Sequence, residues 1–358
     1  MKKICVFFGG ASSEHDISII TGMQLSKKII KKYKIEKIYL GLDNKFYLAT
    51  KINDLKYFSD KKKINLPEVF ILNNKIYLKG LVSRKVAGIE CVINCCHGGI
   101  GENGDLSGYF ETLGIKYTSA NSLASHIAMD KRLAKFLLRD LIPTIDGVKV
   151  TKDRYDEMTK WIDGNLPDDL IVKPNSLGSS IGVKVCDKGN YKDQIQAIFE
   201  MNDDALVERR IVNIKEYNQA CIKTEKGLLL SAIEEPIYKS DILSFSDKYK
   251  STSKSKGQDR IIPADISDEL EEMINRMTKK IYTTLGMNGV VRIDYIFDVD
   301  SGEIYFNEIN TIPGSMAYYL YEPLGIDYIS LIEILMANAT KSKDFSYFDT
   351  KILNEKNI

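Results

Sequence analysis

Apolar and polar positions change period several times along the chain. Lys3 to Phe8, apolar from Ile4 onward and halted by Gly9 and Gly10, reads as a buried strand. From Ile17 to Ile30 the apolar residues Ile17, Ile20, Leu25 and Ile29 recur near helical spacing, with Glu14 and Asp16 where a helix N-terminus favours negative charge. Lys37–Leu42 and Gly88–Cys96 read as further strands, and Phe110–Leu113 and Leu123–Ile127 as parts of short helices. Strand, glycine turn and helix, repeated, predict a parallel sheet with helices on its faces. Ligands of such sheets sit at the carboxyl ends of the strands.

From Lys131 the pattern differs. Arg132–Leu141 reads as a helix that stops before Pro143, and Asp169–Lys173 as a short strand. The glycine–serine run 174–182 then leads into a strand at Val183–Cys186. Ala205–Glu208, Glu216–Ile222 and Leu228–Ile233 are further strands, so this stretch reads as strands joined by loops rather than by long crossovers. Residues 248–257 are polar and aperiodic. Ser267–Leu285 is a long helix, Gly289–Phe297 and Glu303–Glu308 are the arms of a hairpin, and Tyr328–Ala337 is a last helix. No internal repeat is visible.

Composition narrows the class. The chain has 358 residues, 44% hydrophobic and 28% charged, with a formal net charge of +1. That excludes a disordered chain and argues against a dedicated nucleic-acid binder, which carries a basic excess. At roughly 150 residues per domain, two or three domains are expected. The first apolar run is too short for a signal peptide, and no stretch approaches the roughly 18 apolar residues of a membrane span. The six cysteines lie mostly in apolar runs and match no zinc spacing, which fits a reduced, cytoplasmic protein.

Four segments carry candidate chemistry. In the last hairpin, Arg292 and Asp294 share one strand face, and Glu308 and Asn310 share another. If the arms pair, all four converge. Their carboxylate and amide oxygens are hard ligands of the kind Mg²⁺ uses beside nucleotide phosphates, and Arg292 offers a fork of donors. A solvated polar face is the alternative, and the Asn-Thr-Ile-Pro-Gly continuation weighs against it. The loop from Lys173 to Gly182 offers glycine backbone, the hydroxyls of Ser179 and Ser180 and one point charge to an anion, but lacks the P-loop spacing. Gly9 to Ser18 is a glycine turn feeding a helix. Glu14 there opposes phosphate and suits an ammonium group, with a plain helix cap as the other reading. Finally, His97 follows a strand into a glycine loop, which is either a site or a turn cluster.

Together these segments resemble the D-alanine–D-alanine ligase family of the ATP-grasp superfamily. The resemblance spans Lys3 to about residue 337. It rests on GGASSEHDIS, HGGIGENGDLSGYFETLGIKYT, AMDKRLAK, VKPNSLGSSIGV, SDKY, VRIDY and NEINTIPG, in family order. It implies an α/β ATP-grasp fold. A Rossmann-like parallel domain would cover 1–124, a central subdomain 125–205, and a C-terminal subdomain 206–345 with a mobile lid near 240–260. A peripheral tail would occupy 346–358.

The resemblance also implies chemistry. ATP phosphorylates the carboxylate of a first D-alanine, and the amine of a second D-amino acid attacks the acyl phosphate. By family likeness, Lys131 and Lys173 grip ATP phosphates, with Ser179 and Ser180 in the loop beside them. Glu208, Arg209 and Ile211 contact adenine, and Glu216 the ribose. Lys248 and Tyr249 belong to the lid. Asp294, Glu308 and Asn310 hold two Mg²⁺ ions, with Mn²⁺ as a substitute. Arg292 and the Gly314 backbone stabilise the oxyanion. Glu14 receives the first ammonium and forms a hydrogen-bonded set with Ser179 and Tyr249, and His97 walls the first substrate. Small-molecule substrates, a homodimer and a role in peptidoglycan synthesis follow from the same likeness.

Three departures stand out. After Pro313-Gly314 the family places small hydroxyl residues and then a Ser that receives the second substrate's carboxylate. Here Ser315 is followed by bulk, and Tyr319 holds that Ser position. A phenol can still donate a hydrogen bond but fills more space, which leaves D-serine, D-lactate or another amino acid open as second substrate. Tyr249 in the lid favours an amine acceptor. Arg209 replaces the usual Lys, and Lys250, Lys254 and Lys256 make the lid basic, either as a solvated loop or as a phosphate cover. An inactive nucleotide-binding scaffold would show damage at Arg292, Asp294, Glu308 or Asn310, and all four are intact.

Overall fold

A computed structural model describes residues 2–60, 64–237 and 260–341. The lid residues Lys248 and Tyr249 and the tail 346–358 lie outside the described residues. Three sheets follow one another in chain order.

The first has seven strands in the order β6-β5-β4-β3-β2-β1-β7. β1 (Lys3–Gly9) pairs in parallel with β2 (Lys34–Leu40) and β7 (Cys91–Asn94), as the strand–helix–strand pattern predicts, with α1 (His15–Ile29) between β1 and β2. The remainder corrects the all-parallel expectation. β3 (Phe46–Leu48), β4 (Glu68–Leu72), β5 (Lys75–Leu78) and β6 (Arg84–Gly88) are antiparallel. The β4–β5 connection is Asn73-Asn74, both left-handed at φ 48° and 56°, which closes a two-residue hairpin and leaves no room for a crossover helix. The run Gly88–Cys96, expected as one strand, divides between the end of β6 and β7.

The second sheet is antiparallel, ordered β10-β9-β11-β8. Its strands are β8 (Gly147–Val150), β9 (Leu170–Pro174), β10 (Lys184–Cys186) and β11 (Ala205–Arg209). Two helices absent from the sequence reading cover it: Tyr155–Asn165 and Tyr191–Glu200. Met158 and Ile162 on one, and Tyr191, Ile195 and Ile198 on the other, stand at helical spacing and pack with Val150, Val172 and Val207. The β8–β9 and β10–β11 connections are therefore helical, whereas β9 and β10 are joined by the expected glycine–serine loop.

The third sheet runs β14-β13-β12-β15-β16. It comprises β12 (Ile214–Thr224), β13 (Gly227–Pro236), β14 (Arg260–Ile261), β15 (Val290–Asp298) and β16 (Ile304–Asn310), backed by the helix Asp268–Thr284. That helix buries Ile274, Met277 and Ile281 against Val291, Ile293 and Tyr295. The first and third sheets share a core: Phe8, Ile19 and Leu25 pack with Ala220, Leu320, Tyr321 and Leu331. This contact sets the glycine turn after β1 against the loop after β16.

Candidate active site

The β15–β16 hairpin forms because both arms alternate. Val291, Ile293 and Tyr295 face the core, and Arg292 and Asp294 face away from it. Across the ladder Arg292 stands opposite Asn310, and Asp294 opposite Glu308. The four residues therefore converge. Arg292 Nε and Nη2 each donate to one Asp294 oxygen at 2.7 Å, a bidentate pair, and Asn310 Nδ2 donates to Asp294 Oδ2 at 3.1 Å. Burial opposes the charge on Arg292, but the adjacent Asp294 outweighs it and raises its pKa. One bulge interrupts the ladder: Asp294 pairs Glu308 and Tyr295 pairs Phe306, so Asn307 is the extra residue.

Above this hairpin lies a lysine cluster. The helix Lys131–Leu138 starts at Asp130, whose Oδ1 accepts from Leu133 N at 2.8 Å. Lys131 and Lys135, four residues apart, share a face. Lys131 Nζ donates to the Leu177 carbonyl at 2.6 Å and lies 3.5 Å from Glu308. Lys135 Nζ pairs with Glu208, whose other oxygen takes Lys173 Nζ at 2.8 Å. Lys173 also donates to Asn307 Oδ1 at 3.0 Å. Burial pushes Glu208 up, but the two lysines prevail and hold it down to about 2. Burial lowers Lys135 to about 8, and Lys173 is raised, its burial outweighed by Glu208.

These groups border a cleft of about 570 Å³ between the second and third sheets, large enough for a nucleotide. Lys131, Lys173, Ser180, Glu208, Arg209, Ile211, Glu216, Asp294 and Glu308 all line it. Arg209 additionally stacks on the Tyr305 ring, 5.1 Å from its centroid.

At one end the cleft meets the first sheet. Ser179 and Ser180, at φ 56° and 57°, turn the glycine–serine loop back toward the chain, and Ser179 Oγ donates to Glu14 Oε1 at 2.5 Å. Gly98, at φ +66°, approaches Glu14 so closely that a Cβ would stand 3.1 Å from its Oε2. His97 is 4% exposed. Its Nδ1 lies 2.7 Å from the Ile312 carbonyl and its Nε2 3.0 Å from Thr21 Oγ1. Burial lowers its pKa, so we assign a neutral ring that donates from Nδ1 and accepts at Nε2. Glu102 receives Gly98 N at 2.9 Å on one oxygen, and Thr311 N at 3.0 Å and Ile312 N at 3.1 Å on the other. Its pKa rises to about 7 through burial and then through Glu14. Gly314, exposed, and Ser315 follow this clasped loop. Tyr319 lies beside Arg292.

Sequence reasoning missed Lys135, Asn307 and Glu102. Lys135 was legible as the i+4 partner of Lys131, whereas Glu102 draws its role from Thr311 and Ile312, far along the chain. Asn307 carried no signal, because strict alternation assigns it the face opposite Glu308.

Three sheets, a lysine-lined cleft between two of them and an acid–amide–arginine hairpin at its floor define the ATP-grasp class. Comparison with known proteins narrows this. The family models described as D-ala D-ala ligase N-terminus and C-terminus match residues 3–120 and 140–337. A D-alanine–D-alanine ligase of Thermosipho melanesiensis is 34% identical over 99% of both chains. The crystal structure of the Helicobacter pylori D-alanine–D-alanine ligase superposes with a TM-score of 0.78 at 32% identity, covering 96% of this chain and 100% of that one. The VanG D-Ala:D-Ser ligase of Enterococcus faecalis gives 0.79 at 28%, covering 94% and 98%. The chain belongs to the D-alanine–D-alanine ligase family.

Proposed function

We propose that this chain is an ATP-dependent ligase that joins D-alanine to D-alanine through an acyl phosphate, for peptidoglycan precursors. A carboxylate oxygen of the first D-alanine attacks the γ-phosphorus and ADP leaves. The amine of the second attacks the acyl carbon, the C=O electron pair moves onto oxygen, and collapse expels phosphate. The products are dipeptide, ADP, phosphate and one proton.

Each step asks for charge in place before the reaction begins. Lys131 and Lys173 hold the phosphates, and Glu208, Arg209 and Ile211 border the adenine, with Glu216 at the ribose. Glu14, fixed by Ser179 and the Gly98 turn, takes the first ammonium, and His97 walls that subsite. Arg292 and the Gly314 backbone N–H receive the oxyanion. Ser180 cradles phosphate, and Ser315 and Tyr319 border the second substrate. By family likeness Lys248 and Tyr249, outside the described residues, complete the set. Two carboxylates and an amide, Asp294, Glu308 and Asn310, form a donor set that fits Mg²⁺, or Mn²⁺ in its place. When bound, the ion supplies neutralisation of phosphate charge.

The observation that carries the reading is the ladder placing Arg292 beside Asp294 and opposite Asn310, with Glu308 completing the set. By family likeness the enzyme works in the cytoplasm as a homodimer on small molecules. Among the described residues no helix is long and apolar enough to cross a membrane. Tyr319, and the likeness to a D-Ala:D-Ser ligase, keep another amino acid as the alternative acceptor. Phosphate release with ATP, Mg²⁺ and a panel of D- and L-amino acids and D-lactate is the test. Turnover with D-alanine alone is expected, and its absence sinks the reading.

A further inference from the structure

Glu234 on β13 is 3% exposed, and no step above uses its carboxylate. Its Oε2 accepts from the Tyr319 hydroxyl at 3.2 Å and from Asn218 Nδ2 at 3.2 Å. Its Oε1 lies 3.1 Å from Arg260 Nη1, and the Arg260 guanidinium sits over the Tyr319 ring, 4.8 Å from its centroid. Arg292 lies near enough to Tyr319 to act on it electrostatically. The buried Glu234 thus holds Tyr319 beside the arginine beneath the cleft.

The backbone that delivers Tyr319 is unusual. Ser315, Met316 and Ala317 are all left-handed, at φ 51°, 58° and 51°, and none is glycine. Such strain persists where the surroundings over-determine it, and it gathers at functional sites. Here it turns the chain so that Tyr319 reaches Glu234 and Arg292 together.

Donor counting then decides what Tyr319 offers a ligand. A phenol has one O–H, an ionised carboxylate has no donor, and a guanidinium has no acceptor. Glu234, paired with Arg260, accepts the Tyr319 O–H. Tyr319 therefore presents only a lone pair. That reverses the expectation that its hydroxyl donates to the second substrate's carboxylate, since a lone pair backed by Glu234 repels that group.

We propose that Glu234 is a positioning residue that commits the Tyr319 proton, so that the Tyr319 oxygen accepts an N–H of the attacking amine. The inference rests on the ligase reading and names how that reaction orients its second substrate. Held by one N–H at Tyr319, the amine turns its lone pair toward the acyl carbon, whose oxygen lies on Arg292.

The test is steady-state kinetics with ATP, Mg²⁺ and D-alanine, resolving the KM of the second D-alanine from that of the first. The proteins are wild type, Glu234→Gln, Tyr319→Phe and the double variant. Each single change should lower kcat/KM for the second substrate about tenfold, the worth of one hydrogen bond. KM values for ATP and for the first D-alanine should stay within about twofold of wild type. The double variant should be no worse than the poorer single, because both remove the same contact. Additive losses, or an unmoved second-substrate constant, overturn the proposal. Tyr319→Phe leaves the Glu234–Arg260 pair intact, so it decides alone if Glu234→Gln fails to fold. A wild type that turns over no D-amino acid overturns the ligase reading and this inference with it. Turnover with an unmoved second site overturns the inference only.

Discussion

Lys173 reaches Asn307 at 3.0 Å because a bulge in β16 rotates Asn307 onto the same side as Glu308. Lys173 is shared between Glu208 and Asn307, and both Lys173 and Asn307 line the cleft. If Lys173 grips a phosphate as proposed, Asn307 supplies a neutral oxygen that keeps it aimed there. Asn307→Ala should raise KM for ATP by about tenfold, the scale of one charge-assisted hydrogen bond, with kcat much less affected. Initial rates across an ATP series check this. An unchanged KM would show that Glu208 alone orients the lysine.

The same bulge marks the limit of what the residues reveal unaided. Arg292, Asp294, Glu308 and Asn310 were legible because both arms alternate and the turn between them is rich in Asp and Gly. Tyr328–Ala337 was legible in full, since its apolar face never breaks register. The helices Tyr155–Asn165 and Tyr191–Glu200 were missed although their apolar positions are periodic, because neighbouring strands set the reading of the whole stretch. The four antiparallel strands between Phe46 and Gly88 are short and partly exposed, with little contrast between faces. Glu102 and Glu234 belong to a further category. Their roles come from partners 209 and 85 positions away, and no local pattern encodes those pairings.

Arg292 makes two bonds to Asp294 in a geometry only a planar fork provides. Arg292→Ala should abolish turnover while ATP still binds. Arg292→Lys keeps a charge and loses the fork, and should retain activity lowered by about two to three orders of magnitude, as for loss of one oxyanion donor. Turnover and equilibrium ATP binding, measured side by side, separate the roles. Substantial turnover in Arg292→Ala would refute the oxyanion assignment.

Glu102 fastens the loop that leads from Asn310 to Gly314 to the loop that carries His97. Both of its oxygens accept backbone N–H groups. Glu102→Gln is isosteric but turns one acceptor into a donor facing a donor, so one clasp must open. The expected result is a kcat lowered about tenfold or more at saturating ATP, with ATP affinity held, because the cleft-lining Lys131 and Lys173 lie elsewhere. A variant with wild-type kcat would show that the first-sheet contact alone seats the loop.

Glu208 is the sole anion bonded to both Lys135 and Lys173 among the described residues, and its pKa is held down to about 2 from an ordinary 4.5. A carboxylate depressed on folding binds fewer protons folded than unfolded between those values. Its contribution to stability is therefore complete above about pH 4.5 and is lost as the pH falls toward 2. Glu208→Gln removes this and leaves two buried ammonium groups facing each other, a change on the order of 3–5 kcal/mol at neutral pH. Urea midpoints from pH 7 to 2 should show wild-type stability falling steeply through the acid range, and the variant starting lower with a shallower fall. Inorganic phosphate should recover part of the variant's loss, because an anion in the cleft restores what the two lysines lack. Parallel acid limbs in the two proteins would place the acid-sensitive pairing elsewhere in the molecule.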